Sequence, residues 1–305
     1  MRGFLDRIKP GRKIDANSAV LLPFTADGKP DYEPFAAHLL RTARAGITPA
    51  VNMDTGFGPQ LTPAQRVEVL KLTRKTLGTA PFIAGACCFG ETYEQAVAAI
   101  LDQGGIPILF QSEAFAAGDV IALYQKILAP APRALAFELG TMFAPFGRIY
   151  DLDTYKRLMD LPNVVGAKHS SLSRALEIQR LDLRDQHRPD FKVYTGNDLA
   201  IDMVMYGSDY LLGISTFDPD AFALRDQWWA QSDDRFFELN DALQALGAVA
   251  FRDPVPAYKD SAAAYLKVTG KMKNPLPHPA CPRRPANEPE LLAPLARQIA
   301  IAAAR

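Results

Sequence analysis

Several patterns that mark whole classes of protein are missing from this chain of 305 residues. Three cysteines, Cys87, Cys88 and Cys281, are too few for a disulfide framework or a four-cysteine zinc site. Cys87 and Cys88 are adjacent, so on a strand they face opposite ways, and both read as small apolar residues. Neither sign of charge is in excess. Lys plus Arg and Asp plus Glu each total 34, so no global basic field draws nucleic acid. No apolar run approaches the roughly 18–20 residues of a membrane span, and the opening residues lack the apolar segment of a secretion signal. A cytoplasmic protein without membrane contact is expected. The four histidines form no H-x-H or H-E-x-x-H pair, and no glycine-rich dinucleotide fingerprint follows the first apolar run.

What is present is a repeat. Apolar residues make up 48% of the chain, enough for a large core, and they gather in eight short runs at 18–24, 47–53, 81–88, 106–110, 133–139, 164–170, 191–197 and 210–216. Most are continuous rather than alternating, as in strands of a parallel sheet buried on both faces. Between them lie segments of helical period at 32–45, 63–76, 92–103, 118–128, 152–159, 172–180 and 199–206. The unit recurs at a spacing of roughly 27 residues, and eight βα units predict an α/β fold, a (β/α)8 TIM barrel over residues 1–218. Beyond it the pattern is helical only, at 220–230, 234–249, 255–268 and 288–304, with an ordered Pro-rich loop at 274–287. Residues 219–305 are therefore expected to be a C-terminal helical appendix packed on the barrel as one structural unit. Trp228-Trp229 and Phe236-Phe237 on these helices suit either core packing or a subunit interface.

In such barrels chemistry sits at the C-terminal ends of the strands. That rule selects Asp54 and Thr55, Cys88, Gln111 and Glu113, Glu138, Lys168 and His169, Asn197 and Asp198, and Ser215 and Thr216. Lys168 alone among them is a lysine, and it closes the apolar run Val164-Val165-Gly166-Ala167. Burial disfavours the ammonium form, and a neutral amine is the nucleophile that Schiff-base chemistry needs. An ion pair with a neighbour such as Glu138 is the alternative reading.

The residues around these positions resemble the dihydrodipicolinate synthase / N-acetylneuraminate lyase family of class I aldolases, over most of the chain from about Ala19 to Leu276. Leu161-Pro-Asn-Val-Val-Gly-Ala-Lys168 matches the family's L-P-N-V/I-V/I-G-x-K, whose lysine forms an imine with the substrate ketone. Thr55-Gly56 with Leu61-Thr62 matches the second half of the loop G-T-T-G-E-x-x-x-L-T, and Leu22-Pro-Phe-Thr25 with Asp27-Gly28 matches T-P-F plus D-G. Gly196-Asn197-Asp198 is similar to the lyase branch's G-x-D, whose aspartate binds substrate hydroxyls, and Ser215-Thr216-Phe217 to its S-T-Y/F. The resemblance implies a homo-oligomer, tetramer or dimer, and an imine that serves as the electron sink without a cofactor.

The chain differs from the family pattern at chemically important places. Asp54 stands for the first loop threonine, Phe57 for the glutamate, and Phe137-Glu138 for the Tyr-Asn pair that ends strand five. The Tyr-Tyr after strand four is absent from Phe110-Gln-Ser-Glu-Ala114, and His169 follows the lysine. An ionised Asp54 would repel the carboxylate of pyruvate, so a neutral, sugar-derived keto or aldehyde substrate is expected. The expected catalytic set is Lys168, Thr55 as proton relay and Glu138 as base, with His169 as the alternative base. Asp54, Gly56, His169, Gly196, Asp198 and Ser215 are expected to hold the substrate. Glu138 reaches the mouth only if its strand has ended or bulged there. A competing reading is a metal-dependent sugar isomerase or hydrolase using Asp54, Glu138 and His169 as ligands.

Overall fold

The computed structural model describes residues 3–116 and 118–305. Eight parallel strands close into a barrel in chain order. They are β1 (Ala16–Ala19), β2 (Thr48–Val51), β3 (Ile83–Ala86), β4 (Ile106–Leu109), β5 (Ala134–Leu139), β6 (Val164–Ser170), β7 (Lys192–Thr195) and β8 (Asp209–Leu212). The outer layer contains α1 (Tyr32–Arg44), α2 (Pro63–Leu77), α3 (Tyr93–Asp102), the single turn α4 (Glu113–Ala116), α5 (Val120–Leu128), α6 (Leu152–Met159), α7 (Arg174–His187) and α8 (Pro219–Ala230). Three further helices follow, α9 (Arg235–Ala250), α10 (Tyr258–Val268) and α11 (Glu288–Ala303). None of the helices among the described residues is long and apolar enough to cross a membrane.

The helices begin where side chains can satisfy their free N–H groups. Thr62 with Gln65 and Thr92 with Gln95 form reciprocal capping boxes on α2 and α3. Asp119, Asp151, Ser173 and Asp218 accept N–H bonds at the starts of α5, α6, α7 and α8.

Two apolar layers result. Inside the barrel Ala50, Ile83, Ile108, Leu135, Phe137 and Leu211 fill the lumen, and a larger core lies between strands and helices. Cys87 belongs to the lumen filling, where burial pushes its thiol up to about 12, so it is an inert apolar residue. Strand alternation decides which side each residue of β5 takes: Leu135 and Phe137 point in, while Ala134, Ala136 and Glu138 point out.

Apart from β6, which matches its run, the strands are shorter than the apolar runs that predict them. Residues 20–24 leave β1 but stay buried, and 214–216 tighten into a 3-10 turn instead of extending β8. α7 runs on to His187, well past the expected 180, because its second half is polar and ion-paired rather than periodic in apolar residues. The segment expected as a helix at 199–206 is a 3-10 helix over Ile201–Tyr206.

The appended helices pack on the barrel and on one another, α9 and α10 both against α11. The Pro-rich loop is ordered as expected: Phe24 N–H bonds the Leu276 carbonyl at 2.8 Å. Arg284 donates to the carbonyls of Ala250, Arg252 and Asp253, while its own N–H bonds Asp260. These bonds fix the turn that leads into α10.

Of the aromatic pairs on α8 and α9, Trp228, Trp229 and Phe236 are core residues, whereas Phe237 is 49% exposed. Phe236→Ala should cost about 3–5 kcal/mol of stability, and Phe237→Ala less than about 0.5 kcal/mol, both read from urea unfolding. Equal costs would contradict this placement.

Candidate active site

The C-terminal ends of the strands surround a cavity of about 250 Å³. Lys168 enters it from β6, and Phe137, one strand away, faces it in register. The amine lies 4.9 Å above the Phe137 ring, and that ring meets Phe110 edge-on at 5.3 Å. Among the described residues Lys168 Nζ forms neither an ion pair nor a hydrogen bond. Burial lowers its pKa, and the carboxylates of Asp198 and Asp54 only partly offset this.

Room for the lysine comes from a glycine. A Cβ on Gly196 would stand 2.6 Å from Lys168 Cε and 2.1 Å from Ser170 Oγ, so any side chain here would displace the amine. Ser170, two residues beyond the lysine, shares its face and lines the cavity.

Asp54 and Thr55 lie on the loop after β2. Asn52 and Phe57, at either end of that loop, take left-handed backbone conformations, with φ of 53° and 58°. Such conformations persist only where the surroundings hold them, and here Asn52 bonds the Arg66 carbonyl while Phe57 packs edge-on against Phe24. Arg66 also donates to the carbonyls of Gly58, Leu61 and Phe89, tying this loop to the one after β3.

Asp54 is half open to the cavity, and both its oxygens accept from Lys259 Nζ at 3.0 Å. Its Oδ2 also accepts from Tyr258 Oη at 3.0 Å, and that phenol lies 2.9 Å from the Thr55 hydroxyl. Burial would raise the Asp54 pKa, but Lys259, Tyr258 and Lys168 outweigh it and hold the group below the usual carboxylate range. Tyr258 is pushed well above its ordinary value, first by burial and then by the Asp54 charge, so it remains a phenol.

Asp198, after β7, accepts from the Ile214 N–H at 2.7 Å, and burial pushes it up to about 6 even with Lys168 nearby. It is thus a carboxyl group that changes protonation close to neutral pH beside an uncommitted amine.

Four of the expected site residues do not line the cavity. β5 neither ends nor bulges at Glu138: it pairs with β6 through Leu139 and Ser170, so Glu138 points outward to the helices. There its carboxylate is bound by Arg180 at 2.9 and 3.1 Å, His169 Nδ1 at 2.6 Å and the Tyr150 N–H at 2.9 Å. His169 shares that outward side, its other ring nitrogen 2.6 Å from Ser171 Oγ. Neither residue can act as the base on a substrate held by Lys168. Ser215 is also buried away from the cavity, bonded to the Ser18 hydroxyl and the Leu212 carbonyl. Gly56 shapes the loop without lining the cavity, its N–H bonded to the Met53 carbonyl.

The metal-ligand reading fails for the same reason, since Asp54 lies inside the barrel mouth and Glu138 and His169 outside it. Among the described residues no group of three or more His, Cys, Asp or Glu comes together as a ligand set.

Tyr258 and Lys259 escape a search confined to strand ends because they come from the appendix. Their helix carries one signal: Lys259, Asp260 and Ser261 are successive polar residues in a helix buried on nearly every side. Polar groups in that setting need partners, and Asp54 supplies one.

No family model matches the chain. It is 25% identical over 205 residues to the 4-hydroxy-tetrahydrodipicolinate synthase of Kosmotoga olearia, across 65% of this chain and 69% of that enzyme. Its fold matches a dihydrodipicolinate synthase variant described as monomeric, at a TM-score of 0.81 and 20% identity over 93% of this chain and 96% of that one. It likewise matches a prophage protein of E. coli K12 of the dihydrodipicolinic acid synthase family, solved in complex with pyruvate. The TM-score is 0.81 at 17% identity, over 94% and 98% of the two chains.

The outward network has a measurable signature. Burial raises the Glu138 pKa, but His169 and Arg180 more than reverse this and hold it below its ordinary 4.5. Its contribution to stability is then complete above that ordinary value and is lost as pH falls through the lowered folded value. Arg180→Met should cost about 3–5 kcal/mol at neutral pH by leaving a buried carboxylate short of its partner. Glu138→Gln should weaken the acid dependence of unfolding while turnover changes by less than about threefold. A well-folded Glu138→Gln variant with turnover lost would return this residue to the reaction.

Proposed function

Because the chain belongs to the dihydrodipicolinate synthase / N-acetylneuraminate lyase family, we propose that it is a class I aldolase-type lyase. In this reading Lys168 forms an imine with a small keto or aldehyde substrate. The observation that carries it is the uncommitted, desolvated amine of Lys168 in a cavity at the barrel mouth, with two carboxyl groups within electrostatic reach.

The amine attacks the carbonyl carbon, and loss of water from the carbinolamine leaves a protonated imine. Thr55, Tyr258 and Asp54 form a continuous hydrogen-bond chain that can pass the protons this exchange requires. Lys259 anchors the chain at its far end. It also offsets the Asp54 charge, which weakens the argument that a carboxylate beside the carbonyl would be repelled.

The base on the substrate is Asp198 in this proposal, in place of Glu138. It takes the proton of a hydroxyl two carbons from the imine carbon. The intervening C–C bond breaks, an aldehyde departs, and its electron pair enters the enamine. Protonation of the enamine carbon and hydrolysis of the imine restore Lys168. Dehydration would start from the same protonated imine: a base takes a proton from the intervening carbon, and the resulting enamine expels the hydroxyl as water, so cleavage and dehydration share the path as far as the imine. A sugar-derived substrate was the expectation from a carboxylate-rich rim. With Glu138 turned away and Asp54 occupied, Asp198, Ser170 and Thr55 remain to receive hydroxyls, enough for the one or two nearest the carbonyl.

Borohydride reduction with substrate should label Lys168 and no other lysine, as read by peptide mass spectrometry. Lys168→Ala should lower turnover by roughly a thousandfold or more, and label elsewhere, or retained activity, refutes the proposal. With Asp198 acting as a base, kcat/KM should be constant above about 6 and fall as pH drops through it. Asp198→Asn should cost roughly a hundredfold or more in turnover and remove that limb, while imine trapping persists. A variant that retains the limb assigns the titration to another group.

A further inference from the structure

The cavity is chemically divided. Asp54, Thr55, Tyr258, Ser170 and Asp198 are gathered around Lys168, whereas the outer wall is made by Phe89, Leu139, Met142, Phe143 and Phe146. Phe89, Met142 and Phe143 are 37%, 60% and 39% exposed, an arrangement that leaves apolar surface facing one concave opening.

The outer wall offers few hydrogen bonds, the exposed Gln60 being the one lining amide without a side-chain partner among the described residues. Gln111 lies on it, but its amide is fully engaged: Nε2 donates to the Phe137 and Arg148 carbonyls and to Tyr150 Oη, and Oε1 accepts from the Arg148 N–H. Among the described residues no arginine lines the cavity, and Lys259, the lysine nearest to it besides Lys168, is bound to Asp54. A carboxylate, a phosphate or a row of hydroxyls seated against this wall would therefore give up water with little compensation beyond Gln60.

From this division we infer that the substrate carries a neutral aromatic group at the end remote from its carbonyl. The inference rests on the imine reading above and names the substrate class for that site. Three phenylalanine rings and a methionine thioether on the wall suit an aryl face and edge. The volume of about 250 Å³ is slightly below the roughly 300–1,000 Å³ of sites for drug-sized ligands, which favours one ring beside a short carbonyl chain.

The reaction is then cleavage of an aryl-substituted β-hydroxy ketone. The hydroxyl proton goes to Asp198, the bond between the carbinol carbon and its neighbour breaks, and an aryl aldehyde leaves. The remaining enamine takes a proton on carbon and releases a small ketone on hydrolysis, with no oxidant or reductant consumed. The loop 140–148 sets the ring's position because Gln111 fastens its far end to β5.

The test compares 4-hydroxy-4-phenylbutan-2-one and its 1-carboxylated counterpart with matched compounds bearing a trihydroxypropyl group in place of phenyl. Readouts are aldehyde release and borohydride labelling of Lys168. The phenyl compounds should be preferred in kcat/KM by about tenfold or more. Met142→Ser and Phe143→Ser should each reduce that preference by about threefold to tenfold, chiefly through KM. Met142 is a surface residue, so its variant keeps the test available if Phe143→Ser fails to fold. Labelling by the polyol compounds with equal or better kcat/KM overturns the aromatic inference and leaves the imine reading standing. Labelling by none of them refutes the imine reading and this inference with it. Unchanged preference in both variants, together with a loss of self-association, identifies the wall as a contact between copies and also overturns it.

Discussion

A β-strand cannot turn two successive side chains to the same side, and at the top of β6 this constraint separates Lys168 from His169. The lysine enters the lumen, where among the described residues it forms no ion pair, and the histidine enters the helix layer, where Glu138 and Arg180 wait for it. Had both faced inward, His169 and Glu138 would have surrounded the amine with hydrogen bonds and an anion, favouring the ammonium form. The same alternation on β5 places Phe137 beside the amine and sends Glu138 outward. The nucleophile's apolar surroundings thus follow from register, and the charged groups outside buttress the strands that carry it.

The appended helices complete the site. Asp54 is a strand-end residue as the barrel rule requires, yet the groups that set its charge and link it to Thr55 are Tyr258 and Lys259 on α10. The position of α10 depends in turn on Arg284, which holds three main-chain carbonyls of the preceding segment. An extended proline-rich loop and the geometry of a cavity on the far side of the sequence are therefore mechanically connected.

The barrel was legible because its signal is collective: eight apolar runs at regular spacing survive errors of several residues at the end of any one of them. Lys168 was legible for a similar reason, since a charged residue closing an apolar run stands out. Glu138 and His169 were misplaced because the strand-end rule selects a height along the barrel axis, not a side. Parity counted from Lys168 puts His169 outside, but β5 needed the observation that its pairing is regular from Leu135 through Leu139, the one irregularity lying earlier, at Ala134. The partners of Asp54 were out of reach because they are 204 and 205 residues away in the chain, and no local period encodes such a contact.

That separation also gives the chain an order of assembly. During synthesis the barrel strands emerge first, and Lys168 can be buried while α10 has yet to leave the ribosome. Until it docks, Asp54 is a lone anion at the mouth and Thr55 has no phenol to pass a proton to.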